Sequence, residues 1–136
     1  MIKPIITSQL MLRMPSEDAT PADAPIAQDL IDTLRAHANE CVGVAANMIG
    51  IRKRIIAVMD GSRPVVMYNP QIISSSGEYT TVESCLSLTG ERSATRFRSI
   101  EVSYLGEDFR PRTKRFCGFT AQIIQHEIDH RNGIVI

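Results

Sequence analysis

The chain has 136 residues, 43% of them hydrophobic and 22% charged, which are the proportions of an ordinary soluble globular protein and suit one domain over residues 1–136. Its 15 basic and 15 acidic residues cancel to a formal net charge of zero, which removes the electrostatic case for nucleic acid or a membrane surface as partner. No apolar run approaches the roughly 20 residues of a membrane helix, the N-terminus lacks the apolar core of a signal peptide, and the three cysteines are an odd number that argues against a disulfide framework, so a cytoplasmic setting is expected.

In chain order, residues 14–25 hold Pro15, Pro21 and Pro25 among Ser, Asp and Thr, the composition of a loop. Pro25 suits the start of a helix, and Asp23 is a candidate cap. Ile26, Leu30, Ile31, Leu34 and Ala38 then form one apolar stripe, predicting a helix over residues 26–40. Small residues break it between positions 41 and 50. Two strands are expected at 54–59 and 64–69, turned by Asp60-Gly61, with Asn69-Pro70 as a second break and a short strand at Ile72 and Ile73. Ile100, Val102 and Tyr104 alternate with polar residues as in a half-buried strand, and Gly106-Glu107-Asp108 turns the chain into another strand over 109–116. The cations Arg110, Arg112, Lys114 and Arg115 on that strand are read as a solvated face. Gly118 opens a final helix with Phe119, Ile123, Ile124 and Ile128 on its apolar face, and Asn132-Gly133 ends it. An early helix, several antiparallel strands and a late helix make an α+β fold.

The chemistry is concentrated at residues 126–130, His-Glu-Ile-Asp-His. On a helix, His126 and His130 are one turn apart and face the same side, so their imidazoles can hold one metal ion. Glu127 lies beside the first of them and can exchange a proton with a water on the ion. A hydrolytic metal site takes a third protein ligand and keeps an open position. Only six residues follow His130, none of them His, Glu, Asp or Cys, so the third ligand must come from upstream. Cys85 is the better candidate, while His37, on the polar side of the first helix, is the alternative.

At this point the chain resembles the peptide deformylases, a family marked by three segments in fixed order. The first, Gly-x-Gly-x-Ala-Ala-x-Gln-x-Gly, corresponds to Cys41-Val42-Gly43-Val44-Ala45-Ala46-Asn47-Met48-Ile49-Gly50. The second, Glu-Gly-Cys-Leu-Ser, corresponds to Glu83-Ser84-Cys85-Leu86-Ser87, and the third, Gln-His-Glu-x-Asp-His, is matched in full by residues 125–130. The resemblance implies antiparallel strands packed around the C-terminal helix, with Cys85, His126 and His130 binding one divalent metal. The native ion would be Fe²⁺, with Zn²⁺, Ni²⁺ or Co²⁺ as replacements. It further implies removal of the formyl group from the N-terminal formylmethionine of new peptides. Glu127 would shuttle the proton, and the backbone N–H of Leu86 would help to hold the developing oxyanion. Val42, Gly43 and Ser84 would offer backbone groups to an extended peptide, Arg92 would lie near it, and Phe119, Gln122 and Ile123 would line the methionine pocket. The expected partners are formylmethionyl nascent peptides, with the ribosome as a further candidate.

The departures from the family pattern cluster at this site. Cys41 and Ser84 replace glycines, and Met48 replaces the glutamine whose amide donates to the oxyanion. Methionine has no donor, and loss of one such donor typically costs about 2.7–4 kcal/mol, or roughly 10²–10³ in rate. Asn47 has an amide next door, but on an extended segment neighbouring side chains point to opposite faces. The alternative expectation is therefore a deformylase-like protein that binds metal or peptide with weak or lost hydrolysis. Relative to many family members the sequence also stops early, at Ile136.

Overall fold

The computed structural model describes residues 1–39, 41–85 and 88–131. A four-residue helix, α1 (Gln9–Leu12), and a 3-10 turn over Pro21–Asp23 precede helix α2 (Ala24–Ala36). Asp23 does stand at the N-terminus of α2, but its carboxylate accepts the backbone N–H of Thr20 at 2.8 Å and so closes the preceding turn. Leu30, Ile31 and Leu34 of the predicted stripe are buried, whereas Ala38 falls beyond the helix and is exposed.

Among the described residues one antiparallel sheet follows, in the order β1-β2-β3-β4-β5. Its strands are β1 (Gly43–Ala45), β2 (Ile55–Asp60), β3 (Arg63–Cys85), β4 (Leu88–Leu105) and β5 (Pro111–Cys117). Asn69-Pro70 does not end a strand as the sequence suggested. Asn69 takes a positive φ of 52°, and its side-chain amide bonds both the N–H and the C=O of Ala19. The ladder shifts register between Tyr68 and Gln71 and again between Ile72 and Ser74, and then continues. Neighbouring elements supply the bonds that the bulges lose, which local sequence does not reveal. The predicted short strand at Ile72 and Ile73 is thus the middle of one long strand.

The alternation at Ile100, Val102 and Tyr104 holds: all three are buried against the sheet's inner face. Arg110, just before β5, and Arg112, Lys114 and Arg115 on it are all exposed. Arg112 pairs with Asp108, Lys114 with Asp60 and Arg115 with Glu101, so the basic cluster is a solvated, locally neutralised face.

Helix α3 (Gly118–Arg131) lies against β1, β2 and β4. Ile123, Ile124 and Ile128 enter the core as predicted. Phe119 does not: it is 64% exposed, because position 119 lies in the first turn of the helix, where little covers it. The predicted Asn132-Gly133 stop lies outside the described residues. No helix among the described residues is long and apolar enough to cross a membrane.

Candidate metal centre

Two strands and one helix bring the site together. His126 and His130 sit one turn apart on α3, which the short β1 crosses, and the end of β3 carries Glu83, Ser84 and Cys85 past the same face. Cys85 Sγ lies 3.1 Å from His130 Nε2, which in turn lies 3.2 Å from His126 Nε2. All three donor atoms are within 4.8 Å of one another. Donors sharing one tetrahedral ion sit about 3.3–3.6 Å apart, so the two short edges match a shared ion and the third closes by a small side-chain adjustment. A thiol and two imidazoles are also a donor set that suits a divalent transition metal. The residues present therefore fit a metal ion, and His37 is not part of the group.

The two imidazoles are pushed in opposite directions. Burial works against a charge on His126, but its bonds to Cys85 and Glu83 outweigh this and raise its pKa. Burial, and then the charge on His126, push His130 the other way, so it stays neutral. Glu83 fixes the orientation: its Oε1 accepts from His126 Nδ1 at 2.7 Å, leaving Nε2 for the metal. Burial opposes the charge on Glu83 as well, yet the bonds from His126 and Arg96 hold its pKa down at about 2.

Sequence reasoning missed Arg96. Its guanidinium meets both Glu83 oxygens, at 2.7 and 2.9 Å, and Asp129 at 2.7 Å, and the residue is only 4% exposed. Arg92, Arg96 and Arg98 look alike in sequence and share one face of β4; the pairing with β3 sets Arg92 directly across from Glu83, yet it is Arg96 that enters the interior, where it meets Glu83 and Asp129 of α3. Gln125 was noted as part of a motif but its task was not. Its side chain bonds both the N–H and the C=O of Phe97, standing in for a neighbouring strand where β5 has ended.

Glu127 lies beside the metal group, 4% exposed, and burial pushes its pKa up to about 7. Its Oε1 has no hydrogen-bond partner among the described residues. A buried carboxylate oxygen without a partner is costly and suits a site that takes up water or substrate. Both Glu127 and His126 face a cleft of about 560 Å³. Val42, Gly43, Ser84, Phe119, Gln122 and Ile123 all line it, as do Met48 and Cys41. Arg92 is not among the described residues that line the cleft; it sits across from Glu83 on β4. Leu86 lies outside the described residues.

At the altered position, Met48 is 1% exposed. Its Sδ turns back to accept the N–H of Ala45 at 3.4 Å. Residues 46–49 form a 3-10 turn rather than an extended segment, and Asn47 points away from the cleft. Its Nδ2 donates to the backbone carbonyls of Leu12 and His130, so Asn47 does not replace the missing amide.

With this geometry in place, the comparisons with known proteins are specific. The family model for polypeptide deformylase matches residues 2–136. The chain belongs to the peptide deformylase family. A peptide deformylase from Clostridium beijerinckii is 52% identical over 136 residues, covering all of both chains. One from Synechocystis is 36% identical over 135 residues, covering 92% of this chain and 71% of the relative. Among solved structures, a peptide deformylase from Legionella pneumophila superposes with a TM-score of 0.88 at 30% identity, over 98% of this chain and 82% of that one. A class I type b peptide deformylase from Acinetobacter baumannii with Met-Ala-Ser bound gives 0.89 at 27% identity, over 99% and 97%. Deformylases are metal-dependent hydrolases, and this member carries the family's fold, an antiparallel sheet with a C-terminal helix.

Proposed function

We propose that this chain hydrolyses the N-formyl group of formylmethionyl nascent peptides in the cytoplasm, using one divalent metal ion held by Cys85, His126 and His130, with Fe²⁺ as the native ion. The observation that carries this reading is the convergence of those three donors beside a buried Glu127 oxygen, unpartnered among the described residues, in the lining of a peptide-sized cleft. A divalent ion bound there supplies Lewis acidity toward the formyl oxygen and activates a water.

The chain's own residues do the rest. Glu127 takes a proton from the water as the oxygen adds to the formyl carbon. It returns that proton to the peptide nitrogen as the carbon–nitrogen bond breaks, giving formate and a free amino terminus. A carboxyl whose pKa lies near 7 is matched to both transfers. Glu83, held by Arg96, keeps the His126 ring turned for binding. Val42, Gly43 and Ser84 flank the cleft where an extended peptide backbone would run. Phe119, Gln122 and Ile123 take the methionine side chain, and Leu86 donates its N–H to the oxyanion.

With Met48 bonded to Ala45 and carrying no donor, the oxyanion loses one partner and the reaction is slowed, not abolished. The relative named as a deformylase over the full chain favours hydrolysis over the alternative of binding alone. The test is formate release from formyl-Met-Ala-Ser by protein loaded anaerobically with Fe²⁺ or Ni²⁺, with Glu127→Ala as control. Release that vanishes in the control supports the reading. Stoichiometric metal with no release above the control refutes it.

A further inference from the structure

Strand β3 and helix α3 are joined by two polar rungs of the same spacing. Glu83 meets His126, and four residues earlier on each element Tyr79 meets Gln122. The first rung orients a metal donor. The second has no part in metal binding, yet Gln122 lines the cleft among the apolar side chains of Val42, Val82, Phe119 and Ile123. A carboxamide in an apolar wall has a desolvation cost unless its polar atoms are used. The Tyr79 hydroxyl donates to Gln122 Oε1 at 3.0 Å. No other side-chain bond of Gln122 occurs among the described residues, so its Nε2 donor is not used by the bond to Tyr79 and is available to a ligand in the cleft that Gln122 lines.

Tyr79 is itself held in place. The Arg98 guanidinium carbon stacks 4.9 Å over the Tyr79 ring. Arg98 fits there because Gly77 has no side chain: a Cβ at that position would lie 3.1–3.3 Å from the Arg98 chain. Tyr79 and Arg96 are directly paired across β3 and β4, so the ring's base is tied to the same sheet face as the metal group.

Resting on the proposed deformylase reading, we propose that Tyr79 is a positioning residue for substrate selection: by fixing the Gln122 amide, it presents Nε2–H to the sulfur of the substrate's first side chain, so the cleft prefers methionine to its near-isostere norleucine. A thioether sulfur accepts a weak hydrogen bond and a methylene accepts none. A side chain without an acceptor leaves this half-buried amide donor unpaired within the apolar wall.

The experiment compares kcat/KM for formyl-Met-Ala-Ser and formyl-norleucyl-Ala-Ser in the parent protein, Tyr79→Phe and Gln122→Leu. The parent should prefer methionine by about two- to tenfold, the range of one modest hydrogen bond. Tyr79→Phe should move the ratio toward one, and Gln122→Leu should bring it to one or below, mainly through KM. A Tyr79 that only braces the helix would lower both substrates alike and leave the ratio unchanged. An unchanged ratio in both variants overturns the proposal. Binding of Met-Ala-Ser against norleucyl-Ala-Ser by calorimetry gives the same ratio without turnover. Absence of formate release would then refute the deformylase reading, while equal calorimetric affinities in the parent would refute the role of Tyr79 and Gln122.

Discussion

Gly43→Ala is the smallest change that should disable this site without touching a metal donor. Gly43 lies in β1 with no positive φ, so the need for glycine there is one of space, not of backbone conformation. A Cβ added to it would stand 2.7 Å from Ile123 Cγ2, 2.9 Å from Glu127 Oε2 and 3.0 Å from Glu127 Cγ. Carbon atoms pack at about 3.5–4.0 Å, so the overlap is close to an ångström against two side chains at once. Relief must come from Glu127, Ile123 or the strand. Overpacking of this kind costs about 1–3 kcal/mol, which for a chain of this length lowers Tm by roughly 3–10 °C. Displacing a catalytic carboxylate by about 1 Å costs roughly 10²-fold. Formate release should therefore fall about a hundredfold in kcat while the protein remains folded and binds one metal ion per chain. A Gly43→Ala protein with kcat within about threefold of the parent would refute the close packing of β1 on Glu127.

Arg96→Met should cost about 3–5 kcal/mol of stability in thermal or urea unfolding, because it strands the buried Glu83 carboxylate. Glu83→Gln added to Arg96→Met should recover part of that loss, and additive losses would contradict direct coupling. Glu83 has a folded pKa of about 2 against an ordinary value of 4.5. Its contribution is therefore fully present above about pH 4.5 and lost as pH falls toward 2. Glu83→Gln should flatten stability against pH in that window, measured on the metal-free protein. Met48→Gln should raise deformylation by up to roughly 10²–10³, and no gain would mean that a donor at position 48 cannot reach the reacting carbonyl.

Much of the centre was legible because its physics is local. Two histidines four apart on a helix face the same side whatever the rest of the chain does, and the glutamate beside the first follows them. The apolar stripes of α2 and α3 and the alternation on β4 are likewise properties of single elements. As third donor, Cys85 was preferred through its neighbours in sequence.

What only the tertiary structure decided depends on register between distant segments. Whether Arg92, Arg96 or Arg98 enters the interior turns on what packs over their shared face of β4, where α3 brings Asp129 to Arg96, and no local pattern separates three arginines on one strand. The bulges that carry β3 through Asn69-Pro70 need Ala19, fifty residues upstream, to satisfy the Asn69 amide. Asn47 could be judged in sequence only against an assumed extended backbone. In the fold it sits in a 3-10 turn and bonds the carbonyl of His130. Phe119 obeys the helical period of α3 yet stands at the cleft mouth, since periodicity gives the face of a helix and not what covers its first turn. Sequence by itself determined which side chains share a face. Packing decided which of those faces meet, because contacts across a sheet or between a strand and a helix are set by long-range pairing.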